Sequence, residues 1–313
     1  AWVILRGLWG IAWSFFRIGG LSSVALYADE NHRGEAMGLY NGIYRLGSLF
    51  GMLLGGLFVP VLGLTLVSLV FGMLTLLGLL LIFFSFSKKN DAQKDTQSDP
   101  LMPAALSFVF KRKLLIIISG FFITLLIQGV LTSTLTSLID YHYGQEISFF
   151  GLIVSVTFLS GMIQSARWMW EPFLGRKIGF LSDGPSGRIP LFISSCILTA
   201  GLFGMISYSL PIWLWTIMML SVLLGATAIS TLSDALAIDA AKSANVVSFL
   251  TLYSIVQDVG AALGPFLSYM LIELNRGFIY LYWGGACVFT AIGLLWCLLY
   301  LAEKTAGSIH NLH

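Results

Sequence analysis

The chain has 313 residues, of which 57% are hydrophobic and only 10% charged, with a formal charge of +2. Soluble domains carry about 25% charged residues, so lipid rather than water is the main solvent. No basic stripe with interleaved aromatics occurs, so no nucleic-acid partner is expected. The three cysteines, Cys196, Cys287 and Cys297, lie in apolar runs without a Cys-x-x-Cys, so neither a disulfide framework nor a metal site is expected.

A helical bilayer span needs roughly 20 mostly apolar residues. Nine segments qualify: about 2–28, 36–59, 62–86, 113–139, 147–174, 190–209, 211–238, 244–271 and 276–302. The first opens inside an apolar run with no methionine, so upstream sequence is expected to be missing. The polar, charged stretch 87–112 reads as a linker between two bundles. The expected domains are therefore 1–86 (three helices), 87–112 (linker), 113–302 (six helices) and a tail at 303–313. Between these spans, twelve lysines and arginines fall on one side of the membrane, against Arg276 alone on the other. Basic residues favour the cytoplasmic side, which places the linker, the loop around 176–188 and the C-terminus in the cytoplasm.

An internal repeat is visible. Asp29 ends the first span, and Gly47-x3-Gly51-x3-Gly55 runs through the second; Asp239 ends the seventh, and Gly260-x3-Gly264-x3-Ser268 runs through the eighth. Small residues at every fourth position let helices approach closely in lipid. The match pairs the first three spans with the last three and leaves the middle three without counterparts.

Topology, linker and repeat together resemble the major facilitator superfamily, with two six-helix halves around a cytoplasmic connection. The stretch Gly179-Phe-Leu-Ser-Asp183-Gly184-Pro-Ser-Gly187-Arg188 is similar to that family's cytoplasmic signature, with Gly184 where a basic residue is usual. Arg6-x3-Gly10 resembles its arginine–glycine motif, Asp29 with Arg33-Gly34 the loop that follows, and Gly260-x3-Gly264-Pro265 its glycine–proline motif. The resemblance implies an all-α membrane protein of nine spans, the last three of the N-terminal half plus the whole C-terminal half. It also implies solute transport by alternating access.

A charge in the hydrocarbon region costs ~2.5–3.5 kcal/mol on insertion scales, so charges within spans tend to face a cavity or the bundle interior. Arg17, three helical turns from Arg6 and near mid-membrane, reads either as an anion-binding or proton-coupling group or as half of a structural ion pair. Arg6, near the outer surface, reads as a snorkelling residue or as the coupling arginine that the motif implies. Gln164, Arg167 and Glu171 share one helix face, where Arg167 and Glu171 pair at i,i+4 or act in a gate. In the gate reading, Arg45 bonds Glu171 or Asp183 across the two halves. Asp258 is the repeat counterpart of Arg45, with a structural partner on an absent helix or a proton-coupling role as alternatives. Asp234 reads as interfacial. Asp183 and Arg188 are candidates for conformational control, and Trp13, Trp168, Gln128 and Gln164 for the cavity. Trp213 and Trp215 fit an outer aromatic belt, and all four histidines fall outside the expected spans.

No Walker A sequence, nucleophile elbow or in-membrane His-Glu-x-x-His occurs, so neither an enzyme nor an ATP-driven pump is expected, and no cofactor. The expected function is secondary transport of a small amphipathic or anionic solute across a bacterial-type cytoplasmic membrane by a monomer, with protons as a candidate coupling ion. A non-transporting scaffold of the same fold is the alternative.

Overall fold

The computed structural model describes residues 2–29, 32–86, 103–149, 152–184, 187–241 and 246–310. Its first group of helices is α1 (Trp2–Tyr27), α2 (Arg33–Leu62) and α3 (Leu64–Phe86). Then come α4 (Pro103–Thr124), a π-helical segment (Leu125–Leu131) and α5 (Thr132–Tyr143), which follow one another without a break. A small antiparallel hairpin, β1 (Glu146–Phe149) and β2 (Leu152–Ser155), leads into α6 (Val156–Ser182). The remaining helices are α7 (Arg188–Met205), α8 (Ile212–Ala241), α9 (Val246–Ile272) and α10 (Gly277–His310).

Local chemistry accounts for the breaks. Gly63 separates α2 from α3 with φ 78°, which costs a residue without Cβ little. Pro103 is the first residue of α4, where its missing N–H has no intrahelical partner to lose. Among the described residues, five segments are long and apolar enough to cross a membrane: Lys111–Tyr143, Arg188–Met205, Ile212–Ala241, Ser248–Ile272 and Gly277–Thr305. Thr65–Leu81 is a shorter apolar stretch.

Several expectations change. The span expected at 147–174 begins as a hairpin, and its helix runs from Val156 to Ser182. The alternation of Glu146-Ile-Ser-Phe, with Ile147 buried, suits a strand. The signature stretch is therefore helical through Ser182, and its Arg188 opens α7. The linker expected at 87–112 is helical from Pro103 onward, and 87–102 lie outside the described residues. His142, expected outside the spans, lies on α5 within Lys111–Tyr143.

The core sits among α4, α6, α7, α8, α9 and α10, around Phe192, Phe203, Trp215, Tyr282, Phe289 and Trp296. Trp215, expected in an outer belt, is fully buried and donates its indole N–H to the Ile206 carbonyl oxygen at 2.9 Å. Trp213 is more than half exposed, as a belt residue would be. The Gly260–Gly264 ladder packs α9 on the α4 rod. A Cβ added at Gly264 would lie 2.3 Å from Gly129 Cα.

Candidate functional site

Two of the contacts between the first helical group and the second place charge. The longer is the α2–α6 seam. A Cβ at Gly38 would fall 2.1 Å from the Gly175 carbonyl oxygen, and one at Gly42 would fall 2.3 Å from Pro172 Cα. The two backbones touch, and a turn further along each helix the seam becomes ionic. The Arg45 guanidinium lies 2.9 Å from Glu171, which also has Arg167 at 3.7 Å on its own helix. All three residues are buried, and the Trp168 ring centroid lies 5.2 Å from the Arg45 guanidinium. Of the two partners expected for Arg45, Glu171 is the one in contact.

The other contact joins α1 to α9. Arg17 forms an ion pair with Asp258 and donates a second hydrogen bond to the Gln257 side-chain oxygen. Asp258 thus has a partner on α1, within the chain, rather than on an absent helix. Gln257 donates its amide N–H to Asp234 at 3.4 Å, and the Tyr253 hydroxyl donates to the same carboxylate at 3.0 Å. Thr124 on α4 donates to the Gln257 carbonyl oxygen at 2.8 Å, fixing α9 against α4.

Between these contacts lies a cavity of about 720 Å³. The first group contributes Trp13, Phe16, Arg17, Tyr40, Arg45, Gly47 and Thr75; the second contributes Ile123, Thr124, Gln128, Ser230, Asp234, Gln257 and Asp258. Gln128 sits on the π-helical segment and is exposed between buried neighbours. π-Helical turns recur at functional sites. Asp234, expected at the interface, lines this cavity because α8 continues to Ala241 and carries it inward. Gln164 does not reach the cavity. It lines a second cavity of about 40 Å³ with Thr132, Arg167 and Trp168.

The signature residues gather at the far end of the seam. Asp183 accepts the backbone N–H of Glu35, in the first turn of α2, at 3.2 Å. A carboxylate is favoured at a helix N-terminus. Arg188 bridges Asp183 to Asp239, and Arg176 pairs with Glu35 at 2.9 Å. Arg6 is on α1, but its side chain lies outside the described residues, as does that of Arg33.

Sequence reasoning passed over Gln257 and Tyr253. Their signal is their spacing: Tyr253, Gln257 and Asp258, at i, i+4 and i+5, form the polar patch of an otherwise apolar helix. The partners to which they bind are far away in sequence and leave no local trace.

The site is a cavity with charged and polar groups set in a largely apolar wall, held between two groups of apolar helices, the architecture of a helical membrane transporter. The chain belongs to the Major Facilitator Superfamily, whose family model matches residues 1–181, more than half of its length. The match takes in both sides of the α2–α6 seam and ends inside the signature stretch. No curated protein matches the sequence.

Proposed function

We propose that the chain is a secondary active transporter that moves a small amphipathic, anionic solute by alternating access, with protons as the coupling ion. The observation that carries this reading is the cavity, lined by both helical groups and flanked by ion pairs that cross between them. Its walls combine Trp13, Phe16 and Tyr40 with Arg17, Gln128, Asp234 and Asp258, which suits a solute with an apolar body and a polar head.

The proposed cycle uses two of the crossing pairs, Arg17–Asp258 and Arg45–Glu171. The side chain of Asp258 is half exposed and that of Arg17 only 20% exposed. A proton taken up on Asp258 removes the charge that holds Arg17 and releases α1 from α9, which opens the cavity to the solute. On the other side of the cavity, Arg45 and Glu171 close the seam on the side assigned to the cytoplasm by the distribution of Lys and Arg. Asp183, bonded to α2, holds that end shut. Arg6 joins this reading only through its motif. The linker and C-terminus are cytoplasmic in the proposed orientation.

The full chain reconstituted in liposomes tests the reading. Aromatic and aliphatic carboxylates should move against their gradient when an inward proton gradient is imposed. Arg17→Gln should abolish movement, and Asp258→Asn should uncouple it from pH. Absence of any solute flux under every imposed gradient would favour a non-transporting scaffold.

A further inference from the structure

Two guanidiniums share one carboxylate at the centre of the seam. Glu171 is 2% exposed, 2.9 Å from Arg45 and 3.7 Å from Arg167. The second distance is too long for a hydrogen bond, and among the described residues Glu171 Oε2 makes none. The guanidiniums differ in where they belong. Arg45 is on α2, across the seam, and lines the main cavity. Arg167 is on the same helix as Glu171, one turn away, and lines the small cavity with Gln164 and Thr132. That cavity of about 40 Å³ exceeds the ~10–15 Å³ that a water needs, and it offers polar partners for one.

We infer that Glu171 is an internal surrogate for the solute's anionic group at Arg45, and that Arg167 takes Glu171 over when the solute arrives. This rests on the anionic-solute reading above. If α2 parted from α6 with no second partner present, a buried carboxylate would be stranded, which is strongly unfavourable. Arg167 removes that obstacle, because it moves with Glu171 and lies within ion-pair distance. Arg45 is left at the cavity wall, held in place by the Trp168 ring. A carboxylate on the solute then supplies the charge that Glu171 gave up. Glu171 and the solute compete for one guanidinium, so binding and seam opening are linked, and the linkage is reciprocal. Arg167 acts here as a positioning residue, through Glu171 and without touching the solute.

Benzoate, with benzamide and benzylamine as neutral and cationic controls, serves as the probe on the purified full chain. Benzoate should bind, and Arg45→Gln should lose it. Glu171→Gln should tighten benzoate about tenfold or more, within the usual range of coupling between sites. Arg167→Gln should weaken it by a similar factor, because Glu171 then has only Arg45. The double variant should match Glu171→Gln alone, a non-additivity that a merely structural Arg167 would not produce. If the Gln variant does not give a monodisperse protein, Glu171→Asp keeps the charge with a shorter reach, and should tighten benzoate to a lesser degree. An unchanged affinity in Glu171→Gln, or an Arg167 effect that persists in the double variant, overturns the inference.

A second measurement needs no solute. In a background with the three native cysteines replaced, Met37→Cys, fully buried on α2 beside the seam glycine Gly38, reports opening by its alkylation rate. Arg167→Gln should slow labelling and Glu171→Gln should speed it. If labelling follows that order while no carboxylate binds, the anionic-solute reading falls and Arg167 keeps its role. Labelling indifferent to Arg167 overturns the hand-over even where transport is demonstrated.

Discussion

Arg17 and Arg45 carry the same charge into the same cavity, but their surroundings differ. Arg17 meets a half-exposed Asp258, and pairs of that kind contribute about 0–1 kcal/mol. Arg45 meets Glu171 at 2% exposure, where losing one partner costs about 3–5 kcal/mol. Asp258→Asn should therefore shift the thermal midpoint of the purified protein little. Glu171→Gln should lower it by many degrees, and an equal loss in both variants would contradict this assignment. The residue types at these positions were legible in the sequence, because charges stand out in apolar helices. Their partners were not. Asp258 lies 241 positions from Arg17, and nothing along the chain says which of several acids within the helices an arginine will meet.

Helices are the scale at which glycine matters most here. The glycines described in the two similar ladders have different surroundings. Gly260 and Gly264 bury their faces against the α4 rod, whereas a Cβ at Gly47 would have nothing within 4 Å. The closest approach between the two groups uses other glycines, Gly38 and Gly42, outside either ladder. Gly42→Leu should force α2 away from Pro172, speed alkylation of Met37→Cys and lower thermal stability. Gly47→Ala should leave both unchanged, and equal responses would mean that the seam is not the closing surface. Element boundaries followed from hydropathy where runs were purely apolar, as for α3 and the start of α10, whereas α10 continues to His310 through the stretch expected as a tail. They failed at α6, where a strand pair and a helix read alike as one apolar stretch.

Across the whole molecule, the signature turn, the seam and the cavity lie along one boundary between the two helical groups. Asp183 and Arg188 act on that boundary from its end, through the backbone of α2 and through Asp239. Asp183→Asn and Arg188→Gln should each raise the labelling rate of Met37→Cys. Neither should much change thermal unfolding of the core around Phe203 and Trp296, which their contacts do not reach. A labelling rate unmoved by both would separate the signature from the seam. The sequence by itself determined the solvent, the helical class, the superfamily and the set of charges that lipid would not tolerate. Those follow from composition and from the cost of placing each residue in hydrocarbon, which are local quantities. Only the tertiary structure decided that Arg17 meets Asp258, that Asp234 lines the cavity and that one glutamate serves two arginines. Those depend on which helices touch, and touching is set by the fit of small residues such as Gly38 and Gly175 between helices far apart in the chain.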